Sequence, residues 1–176
     1  MDEKLSLYLE KAQRYCSLGE QCVHSVSKKM KEWGVETNEA EYIIGELIVG
    51  GYLNEERYAK AFARGKFKML KWGRKKIVYH LKMNNISPAN IKIALQEIDE
   101  DMYDEVLGTL LLNKWNETKG NVFSRKGKVM SYLAAKGYET DLILNKLNEI
   151  VNNKIGKPII SKIPKISATI FPADVG

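Results

Sequence analysis

The chain has 176 residues and a mass of 20.1 kDa, with 44% apolar and 28% charged residues, a net charge of +6 and a pI near 9.1. That size suits one ordinary domain or a row of small units, and the composition excludes a disordered chain. It has no run of about 18 apolar residues to span a membrane; the opening "MDEKLSLYLEKAQRYC" lacks the apolar core of a secretion signal; and two cysteines, Cys16 and Cys22, make no disulfide framework, so a cytoplasmic location is expected.

Nearly every segment carries a helical period. Leu5, Tyr8, Leu9 and Ala12 define a first helix ending near Tyr15. Ser17 and Glu20 have capping-box spacing and predict a second helix to about Trp33, stopped by Gly34. A third runs from about Thr37 to Val49, ahead of Gly50 and Gly51. Asn54 caps a long helix to about Lys71, and a short one follows from near Gly73 to Asn84. Ser87-Pro88 reads as N-cap plus N1 proline and opens a helix to about Ile98. Asp99 or Asp101 starts another to about Asn116, and segments near Ser124–Lys136 and Thr140–Val151 complete the set. The last stretch, "NKIGKPIISKIPKISATIFPADVG", holds three of the four prolines and reads as a flexible extension or a strand-like arm.

An internal repeat of about 50 residues runs through this pattern. Ile77, Leu81, Ile86, Ile91 and Leu95 match Val129, Leu133, Tyr138, Ile143 and Leu147 at one offset, 52. Val26, Met30 and Val35 match the middle copy at an offset of 51. The expected architecture is all-α: three stacked three-helix units over residues 1–53, 54–99 and 100–152, followed by a tail over 153–176.

Charge is distributed unevenly. The first 56 residues hold 11 acids against six bases, Arg57 to Gln96 contains no Asp or Glu, and Glu97 to Glu105 reverses the sign. On the long helix, Tyr58, Phe62, Gly65 and Met69 form one apolar seam, and Arg57, Lys60, Arg64, Lys68 and Lys71 form a basic stripe opposite. Solvated helix faces normally mix signs, because like charges four residues apart repel; an acid-free stripe favours a binding role. Arg74, Lys75 and Lys76 crowd the first turn of the next helix, where the macrodipole makes each cation unfavourable by roughly 0.3–1 kcal/mol. A negatively charged partner follows, either nucleic acid or an acidic protein groove. Trp72 at the helix corner and Phe67 beside the stripe are candidates for stacking on that partner, although a tryptophan at such a junction more often packs in the core.

Enzyme chemistries fail on their spacing. His24 and His80 are the only histidines, and Cys16, Cys22 and His24 lack a fourth ligand and fit no zinc pattern. In "GNVFSRKGKV", Gly120 and Gly127 are separated by six residues rather than four, and Val129 stands where a P-loop needs Ser or Thr. No nucleophile triad, catalytic carboxylate pair or dinucleotide loop is evident, so neither catalysis nor a cofactor is expected.

The stretch "GGYLNEERYAKAFARGKFKMLKWGRKKIVYHLKMNNI" resembles the signature of the RecX family, regulators of the RecA recombinase. The resemblance rests on Gly51, Tyr52 and Leu53; Glu55, Glu56 and Arg57; Tyr58, Ala59, Ala61 and Phe62; Trp72 and Gly73; Arg74, Lys75, Lys76 and Ile77; Leu81; and Asn85 with Ile86. "SRKGKVMSYLAAKGY" resembles the family's basic helix in the third unit, and the likeness covers about residues 8–151. Asn85 replaces the usual glycine, Gly127 interrupts the third unit's basic helix, and the isoleucine-rich tail has no counterpart in the pattern. The resemblance implies an elongated, curved array of tandem three-helix repeats, monomeric, that binds in the groove of the RecA–DNA filament and reduces its activities. It implies no catalytic residue. On this reading the contacts to RecA and DNA are Arg57, Lys60, Arg64, Lys68, Lys71 and Trp72; Arg74, Lys75, Lys76 and Lys82; and Arg125, Lys126, Lys128 and Lys136. The alternative is a basic helical module that binds single- or double-stranded DNA directly, without a recombinase.

Overall fold

Local signals place most helix ends. In a computed structural model, which describes residues 3–154, the elements in chain order are α1 (Glu3–Ser17), α2 (Val23–Glu32), α3 (Thr37–Val49), α4 (Glu55–Leu70), α5 (Arg74–Met83), α6 (Pro88–Leu95), α7 (Glu100–Glu117), α8 (Val122–Lys136) and α9 (Thr140–Lys154). The described residues are all-helical, in three successive groups of three, and contain no strand. The segment expected as a tail lies outside the described residues from 155 onward. Asn54, Ser87, Asp99 and Asn121 each accept a backbone N–H from the first turn of the helix that follows.

Two expected boundaries are corrected. Ser17 does not open α2; it ends α1, and its hydroxyl donates back to the Gln13 and Arg14 carbonyls. The N-cap of α2 is Cys22, whose Sγ accepts from the Ser25 N–H at 3.4 Å while the Ser25 Oγ accepts from the Cys22 N–H at 3.2 Å. A thiol is a weak acceptor, which is why this cap has no conventional signature. The helix after Pro88 stops at Leu95, short of Ile98.

Two apolar cores hold the helices. Ala12, Cys16, Val26, Met30, Val35, Ile43, Leu47 and Leu53 close one around α1–α3. The second runs without a break from α4 to α9 and also takes in Cys22. The repeat-matched positions are buried in these cores, except Leu95, which is half-buried while its neighbour Ala94 goes inside.

The facing of α4 differs from the expected seam. Its buried residues are Ala59, Ala63 and Phe67, one face at i, i+4 and i+8. Tyr58 and Phe62 are half-buried at the flank of that face, and Met69 is 82% exposed. Phe67, a sequence candidate for stacking on a partner, is only 2% exposed. Small side chains let helices approach closely, and α4 packs more extensively on α6 than on any other helix. Reading the seam by bulk overlooked the two alanines.

The α5–α8 junction fixes the basic surface of the molecule. The Gly73 N–H donates to the Lys136 carbonyl at 2.8 Å, and the Lys75 N–H donates to the Gly137 carbonyl at 3.0 Å. The positive end of α5 thus meets the negative end of α8. A Cβ on Gly73 would lie 2.3 Å from the Gly137 carbonyl atoms, so only glycine permits the approach.

Candidate binding surface

The basic stripe of α4 is largely paired with acids from elsewhere in the fold. Arg57 Nε lies 2.6 Å from Glu20, and Arg64 Nη1 lies 3.1 Å from Glu97. Lys60 pairs with Glu56 on its own helix at 2.6 Å. Arg57 also donates to the Gly51 carbonyl at 3.0 Å. These three residues therefore carry less free charge than an acid-free sequence suggests. Exposed pairs of this kind contribute about 0–1 kcal/mol each.

The unpaired cations gather where the C-terminus of α4, the start of α5 and the end of α8 meet. Lys68 and Lys75 are exposed, with no side-chain ion pair among the described residues. Lys71 ends α4 at φ +54, a left-handed conformation that costs a residue with a Cβ roughly 1–2 kcal/mol. Its Nζ donates to the Lys68 carbonyl, and its own carbonyl accepts from the Tyr138 hydroxyl at 3.2 Å. Lys136 Nζ reaches the Leu70 carbonyl, and Lys76 Nζ reaches the Ala135 carbonyl, both at 3.4 Å. Lys76 also lies 4.7 Å from the centroid of Trp72. Trp72 is half-buried, stacked on His80 at 4.7 Å and edge-on to Phe62 at 6.4 Å. It is a packing residue at the rim of the cluster.

Arg74 holds the fold together more than it presents charge. Its guanidinium sits 4.0 Å over the Tyr103 ring, and its backbone N–H donates to the Tyr103 hydroxyl at 3.0 Å. Tyr103 in turn donates to Glu139 at 2.7 Å, and burial pushes its phenol well above the usual tyrosine range. Arg74 Nη2 approaches Glu100 to 2.7 Å without the alignment of a hydrogen bond. Glu100 is largely exposed, so the ring contact is the stronger tie.

This arrangement revises the cost of the Arg74–Lys76 cluster. The dipole penalty expected at the start of α5 is offset because the C-terminal carbonyls of α8, which favour cations, stand against it. Replacing Arg74, Lys75 and Lys76 together by Glu, which the helix dipole alone would favour, is expected to lower stability by about 1–2 kcal/mol through the lost cation–ring contacts. Urea unfolding measures it. A triple variant at least as stable as the parent protein would show that the dipole of α5 outweighs those contacts.

The third-unit candidates separate from the cluster. Arg125 lies eleven residues before Lys136 on α8, about 16 Å along the axis. Its guanidinium packs 4.1 Å over Trp115 and donates to the Trp115 carbonyl, with Nε buried and unpaired. Arg125 is thus a packing residue. Lys126 reaches Asn148 at 3.4 Å, Lys128 is exposed, and Lys82 is exposed near the far end of α5.

Sequence reading passed over Lys66, which lies 5.2 Å from Phe62 and 5.3 Å from Trp72, and Tyr79 and Met83, which are exposed on α5. The signal was available for the last two, because they fall four and eight residues after Lys75. Cys16 and Cys22 are buried in different cores, and no cluster of potential metal ligands occurs among the described residues. No helix among the described residues is long and apolar enough to cross a membrane.

Residues 54–95 match the family model described as the second three-helix domain of RecX. A regulatory protein RecX of Clostridium botulinum (strain Eklund 17B / Type B) is 27% identical over 130 residues, covering 72% of this chain and 60% of that protein. The chain thus spans less than two thirds of that relative's length. A regulatory protein RecX of Prosthecochloris aestuarii (strain DSM 271 / SK 413) is 24% identical over 147 residues, covering 82% of this chain and 94% of that one. The crystal structure of RecX from Lactobacillus salivarius superposes with a TM-score of 0.75 at 21% identity, over 86% of this chain and 99% of that one. At that identity the structural likeness establishes the fold.

Proposed function

We propose that this protein is a RecX-type, non-enzymatic regulator in DNA repair and recombination that binds the RecA–DNA filament and restrains it; the family-model match over residues 54–95 and the likeness to regulatory RecX proteins support the reading. The observation that carries the reading is the cluster of unpaired lysines at the α4–α5–α8 junction, Lys68, Lys71, Lys75, Lys76 and Lys136. Packing rather than flexible loops holds this positive surface together, and it suits the phosphates inside a nucleoprotein filament. The action is stoichiometric and takes place in the cytoplasm. Arg57, Lys60 and Arg64, already paired, contribute less than the junction, and Lys126 and Lys128 form a separate, weaker contact.

Purified protein is expected to slow DNA-dependent ATP hydrolysis and strand exchange by a RecA recombinase. Replacing Lys68, Lys75 and Lys76 by Ala should weaken this inhibition and reduce the log–log salt slope of filament binding by about 2–3, one phosphate contact being lost per lysine. Absence of inhibition at micromolar excess and low salt would overturn the reading. Binding to naked DNA as tight as to the filament would favour the direct DNA-binding module instead.

A further inference from the structure

The outward face of α5 carries Lys75, Tyr79, Lys82 and Met83, at i, i+4, i+7 and i+8, which the helical repeat stacks into one stripe. Ile77 and Leu81 on the opposite side are fully buried, so the helix cannot roll to hide it. Tyr79 is 60% exposed and Met83 59%. The Tyr79 and His80 rings stand perpendicular, with centroids 5.4 Å apart at 88°, and no ring among the described residues stacks on Tyr79. Lys75 and Lys82 have no ion pair among the described residues, and no acid occurs from Arg57 to Gln96. A ring is therefore held at the surface between two free cations about 10 Å apart along the axis.

A protein partner that buried Tyr79 and Met83 would also desolvate two lysines, a residue type depleted from protein interfaces. A nucleotide meets both requirements, because it offers a flat base and an adjacent phosphate. A duplex keeps its base faces stacked inside, so only an unpaired base is available to the ring. We infer that Tyr79 is a stacking platform for a base of single-stranded DNA, with Lys75 and Lys82 holding the phosphates on either side. The α5 N-terminus takes no part, since the Gly73 and Lys75 amides are spent on the end of α8 and the Arg74 amide on the Tyr103 hydroxyl. The inference rests on the basic-surface reading but requires no recombinase, so it is tested without one.

Fluorescence anisotropy would compare a labelled oligothymidylate, an abasic oligomer of equal length and a duplex, all at low salt. Tyr79→Ala is expected to weaken oligothymidylate binding roughly tenfold, within the span for loss of one base–aromatic stack, and to leave abasic and duplex binding unchanged. Tyr79→Phe, which keeps the ring, should restore the affinity. Lys75→Ala with Lys82→Ala should weaken all three ligands and lower the single-strand salt slope by about 1.4. Circular dichroism confirms that each variant is folded. Unchanged oligothymidylate binding by Tyr79→Ala, or equal losses on the abasic strand, would overturn the inference. A Tyr79→Ala defect seen only with the recombinase filament would also overturn it, and would assign the ring to a protein contact while leaving the proposed function intact.

Discussion

Gly73→Ala is expected to lower stability by about 3–5 kcal/mol, because the new methyl group would sit 2.3 Å from the Gly137 carbonyl carbon and oxygen and 2.4 Å from the Tyr138 nitrogen. Backbone atoms on both sides cannot turn away as a side chain can. The helices must separate, and the two hydrogen bonds from Gly73 and Lys75 to the end of α8 are lost with the packing. Gly137→Ala meets the same obstacle from the other side, with its Cβ 2.3 Å from that of Lys76, and adds the strain of φ +91. Gly65→Ala and Gly127→Ala are the controls. Both lie within helices where an added methyl group would meet nothing within 4 Å, so each should gain about 0.5–1 kcal/mol. Urea unfolding followed by tryptophan fluorescence would report on this, since Trp72 lies beside the junction. A Gly73→Ala protein within about 1 kcal/mol of the parent would mean that the α5–α8 contact contributes little. Under the proposed function the same substitution should also weaken filament inhibition, because the junction brings Lys136 and Lys76 together with the end of α4.

Phe67→Ala is expected to cost about 3–5 kcal/mol, typical of emptying a buried aromatic site. Phe67 stands 5.6 Å from Tyr103, and Tyr103 stands 5.1 Å from Tyr138, so three rings link α4, α7 and the α8–α9 turn within one core. A loss of that size is a large share of the roughly 5–15 kcal/mol that stabilises a domain. Phe62→Ala should cost less, about 1–3 kcal/mol, because the ring is half-buried and its neighbours Tyr58, Trp72 and Lys66 lie at the rim. Thermal or urea unfolding of the two variants gives the order directly. Should Phe62→Ala prove the more damaging, the seam expected from bulk would be the true core face of α4.

Helix starts and core positions were legible in different ways. Asn54 and Ser87 with Pro88 marked their helix starts correctly because capping is an interaction over three residues, and of the two starts open for α7 the structure takes Asp99 over Asp101. Ile77, Leu81 and Ile86 and their matches Val129, Leu133 and Tyr138 were legible as core because a repeated unit buries the same positions each time. Ser17 misled because a hydroxyl near a helix end can equally bond backward to carbonyls, as it does here. Cys22 was missed because a thiol cap is uncommon.

The helical class, most helix limits and the positive bias of residues 57–96 could be read without coordinates, since periodicity, capping and composition act within a few residues or a single segment. Which of those charges remain free depends on the packing of distant segments. Arg57 is neutralised by Glu20 from 37 residues away and Arg64 by Glu97 from 33 away, partners that no local pattern reveals. Packing also turns Ala59 and Ala63 of α4 inward, because close approach to a neighbouring helix selects small side chains over bulky ones. The cations at Arg74–Lys76 are tolerated for the same kind of reason. The carbonyl end of α8 is brought against the amide end of α5, and a dipole penalty read from one helix is offset by the field of another.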